Sequence, residues 1–339
     1  MQRSTGYKSA VRIAPVIVVI VSLCGLLAGQ SVPSTKKRIL VLGEEKGYRH
    51  EAVSHAMATI EQLGRKTGLW DTTLRTDTEA LTKKKLEYNA KNLTNFDAVV
   101  FFTGGDLEMD PQQKSDLLSF VHDDGRGFIG IHSAAITFVN WPEYGDMIGG
   151  YYDEHPWGTF DAPIVVEDPS FPGMQQWPKS FVLRDEIYQI RNYSRDKVRV
   201  LMRIDASKID LENKNVHRTD RDFAVTWAKT YGKGRVYYTT LGHVPENWDK
   251  PEFQTMIVEA IRWATGITSA DVTPRPMPQG QKNSAAIACT ESKARAESNN
   301  SYSFRLQSPF TFEEVILRVR TSFRMWLWRR RRHRLRPAG

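Results

Sequence analysis

The chain has 339 residues, of which 40 % are hydrophobic and 25 % are charged, and its formal net charge is +8. The positive charge lies at the two ends: residues 1–30 carry +3 and residues 280–339 carry +9, so that residues 31–279 carry −4. The basic character of the whole chain is therefore no evidence for nucleic-acid binding, and we expect no nucleic-acid partner. Length and hydrophobic content suit one large globular domain or two small ones.

The N-terminus has the pattern of an export signal. A basic segment precedes the apolar run 13–28, which is short for a membrane span, and small residues follow at its end. We predict that residues 1–30 form a signal peptide and that the protein is exported to the periplasm or the extracellular space. The alternative is an uncleaved N-terminal segment that anchors the protein in the membrane.

The next part of the chain alternates apolar runs with amphipathic segments. Strands are predicted at 38–43, 96–105, 127–132 and 232–243. Helices are predicted over 51–63, after Asp110-Pro111, and over 251–265. This repetition predicts an α/β fold with a doubly wound, mainly parallel sheet. Residues 150–230, rich in Trp, Tyr, Pro and charge, are expected to form shorter strands and loops inserted over that sheet.

The C-terminal part departs from this pattern. Residues 280–339 begin like a linker and end in an Arg-dense stretch with aromatic residues. One interpretation is a basic amphipathic segment that contacts an anionic membrane surface. The other, which we favour, is a disordered extension or a frame-shifted end. We therefore predict a folded domain over 36–268, followed by a linker and a disordered basic tail over 269–339.

Polar residues follow the predicted strands at one edge of the sheet. Ligands of open α/β sheets bind outside the carboxyl ends of the strands, so these residues are expected to converge there. Paired glycines would let the backbone approach a ligand closely. The residues at the strand ends are Glu44, Glu45, Tyr48, Arg49 and His50, then Gly104, Gly105 and Asp106, then His132 and Ser133, and finally Gly242 and His243.

Several motifs resemble those of the ThuA-like (trehalose utilisation) family over about residues 36–268. They are GYRHEA, FFTGGD, GFIGIHSAA, DEIY and LGHVPENW, in this order along the chain. The resemblance implies a class I glutamine amidotransferase-like fold with a flavodoxin-like sheet and helices on both of its faces. It also implies an association with the utilisation of trehalose or keto-sugars.

The resemblance singles out a change at the nucleophile position. In glutamine amidotransferases a Cys occupies the strand-to-helix turn, whereas His132 occupies it here, and the only cysteines, Cys24 and Cys289, lie outside the predicted body. Glutamine hydrolysis through a thioester is therefore excluded. Two imidazoles suit acid–base catalysis or metal binding together with a carboxylate, so we predict His132, His243 and Glu186 as catalytic residues.

The remaining site predictions concern the ligand. Trp248 could form a stacking platform for a sugar ring, and a small-molecule carbohydrate is the expected partner. No local spacing of histidines signals a metal, so the cofactor stays unknown and a divalent metal is one option. The predicted substrate-binding residues are Arg49, His50, Gly104, Gly105, Ser133, His155 and Trp248, and the candidate metal ligands are His50, His132, His155 and His243.

Two functions remain open at this point. The first is an enzyme that processes a sugar, of the hydrolase or lyase type. The second is a non-catalytic carbohydrate-binding module on an amidotransferase-like shell. A closed pocket of histidines with perturbed pKa values would favour the enzyme, and an open aromatic groove would favour the module.

Overall fold

The computed structural model describes residues 36–277, together with Gln2 and Gly6. Residues 36–218 and 222–275 belong to one compact unit, and the described residues 219–221 and 276–277 contain no helix or strand. The predicted signal peptide and nearly all of the predicted basic tail lie outside the described residues. Among the helices that are described, none is long and apolar enough to cross a membrane.

The body alternates strands and helices in its first half and is rich in strands in its second. In chain order the elements are β1 (Lys37–Leu42), α1 (Ala52–Thr67), β2 (Trp70–Arg75), β3 (Ala98–Phe101), α2 (Pro111–His122), β4 (Gly127–Ile131), α3 (Pro142–Ile148), β5 (Tyr151–Glu154), β6 (Thr159–Val166), β7 (Ser180–Glu186), β8 (Gln189–Arg191), β9 (Arg199–Ile204), β10 (Ala224–Tyr231), β11 (Gly234–Thr239) and α4 (Pro251–Ala264).

Nine of these strands form one sheet in the order β2-β1-β3-β4-β11-β10-β9-β6-β7. The first five strands are parallel, and the four that follow pair antiparallel. Helices cover both faces: Ile39 and Val41 of β1 pack in the cluster that holds the apolar faces of α1 and α4, whereas Leu40 and Leu42 pack with α2 and α3. The doubly wound α/β fold is therefore confirmed.

The helices form where the local sequence favours a helix and one apolar face of that helix is buried. The predicted apolar face of α1 is buried, and burying each large aliphatic side chain contributes about 1.5–3 kcal/mol. At the start of α2, the Asp110 side chain accepts a hydrogen bond from the Gln113 backbone N–H at 2.7 Å, and Gln113 Oε1 accepts from the Asp110 N–H at 2.9 Å. This capping box, with Pro111 in the first turn, confirms the predicted helix start.

The prediction for residues 150–230 was wrong. Strands β6, β7, β9 and β10 do not lie over the sheet but extend it at one edge, and only β5 and β8 form a separate two-stranded sheet. Antiparallel extension needs only short connections, which is why this segment has no α-helix between its strands.

The antiparallel extension curls back toward the parallel half of the sheet. Strands β7 and β11 are four positions apart, which in a flat sheet would separate them by about 19 Å. Yet Asp185, at the end of β7, accepts a hydrogen bond from the backbone N–H of Gly242, just after β11, at 2.8 Å. Because four antiparallel pairings separate the two strands, β7 runs in the same direction as β11 and ends at the same edge.

One buried arginine binds the C-terminal end of the folded body. The Arg199 guanidinium, 1 % exposed at its side chain, pairs with Asp168 at 2.7 Å and donates to the Thr273 carbonyl at 2.8 Å. It also contacts Asp271 at 3.3 Å. The chain therefore stays attached to the body as far as Thr273.

Candidate functional site

Four strand ends bring three histidines and a glutamate together. His50 follows β1, His132 follows β4, His243 follows β11, and Glu186 is the last residue of β7. Their ring or carboxylate ligand atoms all lie within 4.8 Å of one another. The predicted convergence of the three histidines is therefore observed, and the curled extension adds Glu186 to them.

His132 occupies a tight turn directly after β4. Gly130 leaves no room for a side chain there, since an added Cβ would lie 2.9 Å from the ring of Tyr238. His132 has a φ of +43°, in the left-handed region that non-glycine residues rarely adopt. Its side chain is fully buried, and its Nδ1 lies 2.6 Å from the Thr240 carbonyl, which can only accept. This contact places the ring proton on Nδ1 and leaves Nε2 with a free lone pair.

His50 is held by a carboxylate on the same loop. Glu45 Oε1 lies 2.5 Å from His50 Nδ1, and Glu45 Oε2 accepts from the His50 backbone N–H at 2.7 Å. Ser133 Oγ donates to Glu45 Oε1 at 3.2 Å. The acceptor at Nδ1 again leaves the Nε2 lone pair of His50 directed away from Glu45. Glu45 thus belongs to the site, whereas the sequence pattern indicates only that it follows the first strand.

His243 is positioned by the contact between β7 and β11. The buried Asp185 carboxylate accepts from the backbone N–H groups of Gly242, Val244 and Glu186 at 2.8, 3.1 and 3.0 Å. Gly242 has a φ of +116°, which a residue with a side chain would adopt only with strain. One carboxylate thus fixes the neighbours of both His243 and Glu186.

The polar atoms at the centre are closely spaced. His132 Nε2 lies 3.2 Å from His243 Nδ1 and 3.4 Å from Glu186 Oε2, and His243 Nδ1 lies 3.4 Å from the same oxygen. The Tyr188 hydroxyl lies 2.7 Å from His132 Nε2 and 3.5 Å from His50 Nε2. We name His50, His132, Glu186 and His243 the four-residue centre.

Burial controls the charge of this centre. Burial lowers the pKa of His132 to about 4 and also lowers the pKa of His243, although the Glu186 charge acts in the opposite direction on both. Burial opposes ionisation of Glu186, but its contacts with His132, His243 and His155 outweigh that effect and hold its pKa below the ordinary value. At neutral pH both imidazoles are therefore neutral, and Glu186 is ionised.

The predicted ligand-binding residues divide into a rim and a set of supports. His155 is half-exposed, with its Nε2 4.0 Å from Glu186 Oε1, and lies outside the four-residue centre. Tyr48 is 70 % exposed, and its ring meets the His50 ring edge-on at 4.7 Å. Arg49 is exposed beside them. We call these three residues the rim. Tyr48 was named only among the strand-end residues and not among the predicted ligand contacts, and it supplies an exposed aromatic ring.

Four of the predicted ligand contacts are corrected by the structure. Trp248 is fully buried, stacks on Phe102 and donates to the Gly242 carbonyl, so it cannot offer a face to a sugar. Ser133 is buried, and its hydroxyl donates a hydrogen bond to Glu45. Gly104 and Gly105 pack against the loop after β1. Gly104 exchanges backbone hydrogen bonds with the loop after β1, and a Cβ on Gly105 would lie 2.1 Å from the Lys46 carbonyl oxygen. These glycines allow the loop that carries Glu45 and His50 to pack.

The family model described as "ThuA: Trehalose utilisation" matches residues 38–264. The chain belongs to the trehalose utilisation (ThuA) family. Two solved structures of proteins described as ThuA-like share its fold. The one from Bacteroides uniformis ATCC 8492 has 20 % identity and a TM-score of 0.55, over 67 % of this chain and 91 % of that one. The one from Parabacteroides merdae ATCC 43184 has 16 % identity and a TM-score of 0.54, over 72 % and 95 %.

No curated protein matches this ThuA chain significantly. The fold has the doubly wound, mainly parallel sheet that the motifs implied, and His132 occupies the tight turn after β4. Residues 36–277 contain no cysteine. Sequence reasoning missed the roles of Glu45, Asp185 and Tyr188. The latter two stand beside Glu186 in the motif DEIY, which was the available signal.

Proposed function

We propose that this ThuA protein is an enzyme that acts on a carbohydrate, of the trehalose or keto-sugar type suggested by the family description. The observation that carries the proposal is the four-residue centre beneath an exposed aromatic ring, Tyr48. Sugar rings bind against aromatic faces with polar groups around them. Tyr48 and Arg49 would hold the sugar, and the buried imidazoles would act on it.

The centre is suited to moving a proton. His132 is neutral, and its Nδ1 proton is held by the Thr240 carbonyl, so Nε2 can accept a proton. The Tyr188 hydroxyl beside it is a donor, because burial raises the pKa of Tyr188 well above its ordinary value. The base, His132 Nε2, and the donor, the Tyr188 hydroxyl, are 2.7 Å apart in a buried position. This pair supports removal of a proton from a sugar or from a water molecule.

His155 offers a route for that proton to solvent. Its side chain is 45 % exposed, and it lies between solvent and Glu186 Oε1. Glu186 Oε2 in turn faces His132 and His243. A proton taken up inside could therefore leave through Glu186 and His155, with a water molecule bridging the 4.0 Å between Glu186 Oε1 and His155 Nε2.

The alternative function, a non-catalytic carbohydrate-binding module, requires an open aromatic groove and no perturbed histidines. The burial of His132 and the lowered pKa values of His132 and His243 support the enzyme instead. Amidotransferase chemistry is not proposed, because no cysteine is present in residues 36–277.

The test is a screen of the purified full chain against trehalose, other disaccharides and their keto derivatives, with product detection by mass spectrometry. We expect turnover of at least one sugar and a loss of about 100-fold or more in His243→Gln. His122→Gln is the matched control, because His122 is exposed on α2. Binding without turnover in the wild type would favour the module, and equal turnover in His243→Gln would contradict the assigned centre.

We also propose that the protein is exported, which rests on the pattern of residues 1–30 alone. Cell fractionation and N-terminal sequencing of the mature chain test it. A cleaved chain outside the cytoplasm is expected, and an intact N-terminus in the membrane fraction would favour the anchor. A full-length chain in the cytoplasm would contradict both.

A further inference from the structure

The four-residue centre holds more hydrogen-bond acceptors than donors. His132 donates its Nδ1 proton to the Thr240 carbonyl, and His50 donates its Nδ1 proton to Glu45. Each ring therefore directs an Nε2 lone pair into the centre. Glu186 Oε2 also only accepts when it is ionised. The protons available to these three acceptors are the one on the Tyr188 hydroxyl and the one that His243 carries on Nδ1 or Nε2. Two protons thus serve three acceptors, and such a surplus of acceptors favours a positive group among them.

A single proton would satisfy only part of this need. His132 is fully buried, and its Nε2 lies 3.2 Å from His243 Nδ1 and 3.4 Å from Glu186 Oε2. A proton placed between two of these atoms leaves the third without a donor, whereas one cation among them contacts all three.

The spacing of the acceptors matches a metal coordination sphere. His132 Nε2, His243 Nδ1 and Glu186 Oε2 form a triangle with edges of 3.2, 3.4 and 3.4 Å. Ligands about 2.1 Å from one tetrahedral metal ion stand about 3.4 Å apart. The ligand atom of His50 completes the set within 4.8 Å of the others.

We propose that His50, His132, His243 and Glu186 bind one divalent first-row transition-metal ion. Three imidazoles and one carboxylate favour ions such as Zn²⁺, Fe²⁺, Mn²⁺ or Co²⁺ over Ca²⁺ and Mg²⁺, which prefer sets of oxygen ligands. The inference goes beyond the proposed function, because it holds whether or not a sugar binds. With an ion bound, the lone pair of His132 Nε2 would be a ligand and not a base, and the ion would lower the pKa of the water or sugar hydroxyl that loses its proton.

The outer contacts of the centre support the same assignment. Histidines that bind metals usually donate the other ring N–H to a carboxylate or a backbone carbonyl, which orients the ring. Glu45 does this for His50, and the Thr240 carbonyl does it for His132. Ser133 and the His50 backbone N–H hold Glu45 in turn. Such prepared orientation of two buried rings exceeds what packing alone requires.

Tyr188 provides a way to separate a metal site from a hydrogen-bonded cluster. Its hydroxyl donates to His132 Nε2, the lone pair that a metal would need. Tyr188→Phe removes this competing donor, so metal affinity should stay unchanged or rise. If the centre were only a hydrogen-bonded cluster, the same substitution would lower stability, and no metal would bind in either protein.

The test is a titration of the chelator-treated full chain with Co²⁺, followed by visible absorption, and with Zn²⁺, followed by calorimetry. We expect one tightly bound ion per chain, and a Co²⁺ spectrum without the near-ultraviolet band of thiolate ligands. His243→Gln and Glu186→Gln, both at partly exposed side chains, should each weaken binding about 100-fold or more. Circular dichroism confirms that the variants are folded.

His122→Gln is again the matched control and should bind like the wild type, since His122 is a surface residue. Absence of a tight site in the wild type, or its survival in both His243→Gln and Glu186→Gln, would overturn the proposal. The titration contains no sugar, so its outcome is separate from that of the substrate screen: a chain that binds the ion but turns over no sugar would contradict only the proposed function.

Discussion

Glu45 and His50 face each other within the loop after β1, with Glu45 Oε1 2.5 Å from His50 Nδ1. Both side chains are nearly buried, at 5 % and 3 % exposure. A buried carboxylate against one ring nitrogen sets the tautomer of the imidazole and makes the other nitrogen a better ligand.

Glu45→Gln should therefore weaken binding of Co²⁺ to the four-residue centre by about 10- to 100-fold, because His50 loses the acceptor that orients it. Titration of the chelator-treated protein measures the effect. Glu44→Gln is the control, since Glu44 lies in the same loop but pairs with Lys46. Equal affinity in Glu45→Gln and the wild type would show that Glu45 does not orient a ligand.

The stability of the metal-free protein should depend on pH through His132. Its folded pKa of about 4 lies below the ordinary value of 6.5, so the unfolded state binds more protons between these values and stability falls as pH falls through this window. The expected loss from this residue is about 3 kcal/mol. Burial raises the pKa of Asp185 to about 6, which acts in the opposite direction between about pH 4 and 6.

The contribution of His132 is therefore measured as a difference. Urea unfolding of the wild type and of His132→Gln, with chelator present, should show that the wild type loses more stability than His132→Gln between pH 6.5 and about pH 4. His122→Gln should keep the wild-type curve. Parallel curves for the wild type and His132→Gln would mean that His132 is not held neutral by burial.

Asp185→Asn should loosen the contact between the two halves of the sheet. The carboxylate accepts from three backbone N–H groups, and an amide can serve them only in part, so we expect a loss of about 1–3 kcal/mol in the free energy of unfolding. Asp161→Asn, at a side chain that is 71 % exposed, is the control. Weaker metal binding should accompany the loss, and unchanged stability would show that the contact of Asp185 with Gly242 and Val244 is dispensable.

Tyr48→Ala should weaken sugar binding about five- to tenfold, because the exposed ring at the rim is lost. Tyr48→Phe should bind nearly as well as the wild type, since it keeps the ring. Tyr88→Ala removes a tyrosine that is 97 % exposed and controls for nonspecific loss of aromatic surface. Calorimetry with the sugar identified in the screen measures the affinities. Equal affinity of the wild type and Tyr48→Ala would show that Tyr48 does not bind the sugar.

A fragment covering 36–275 should unfold cooperatively, and a fragment ending at 268 should be less stable by about 1–3 kcal/mol. The shorter chain lacks the Thr273 carbonyl and Asp271, which leaves the buried Arg199 guanidinium with fewer partners. Urea unfolding followed by tryptophan fluorescence compares the two fragments. Equal stabilities would place the end of the folded body at residue 268, as the periodicity suggested.

The parallel half of the fold could be predicted because its signals are local. The apolar face of α1, the Asp110 cap and the strand before His132 each occupy a few consecutive residues. Parallel strands then fix which edge carries His50, His132 and His243. The antiparallel half could not be predicted, because the pairing of β6 with β7 and β9 depends on contacts between distant residues.

The errors within the site have the same origin. Trp248 follows a strand end like the histidines, and only the packing of Phe102 shows that its ring points inward. Glu45 and Glu44 are adjacent acids, and only the position of His50 decides which one orients a ligand. Glu186 reaches the site because the sheet curls, a property that no local pattern records.

The curl also sets the order in which the centre can be assembled. His50 and His132 are synthesised early, but Glu186 and His243 come from the later part of the chain, and the Asp185 contact needs β7 and the residues after β11 together. A nascent chain that ends before residue 243 carries the first two imidazoles without the Asp185 contact. If the centre binds an ion as we propose, loading follows synthesis of almost the entire body, and the cellular compartment in which folding finishes determines which ions compete for it.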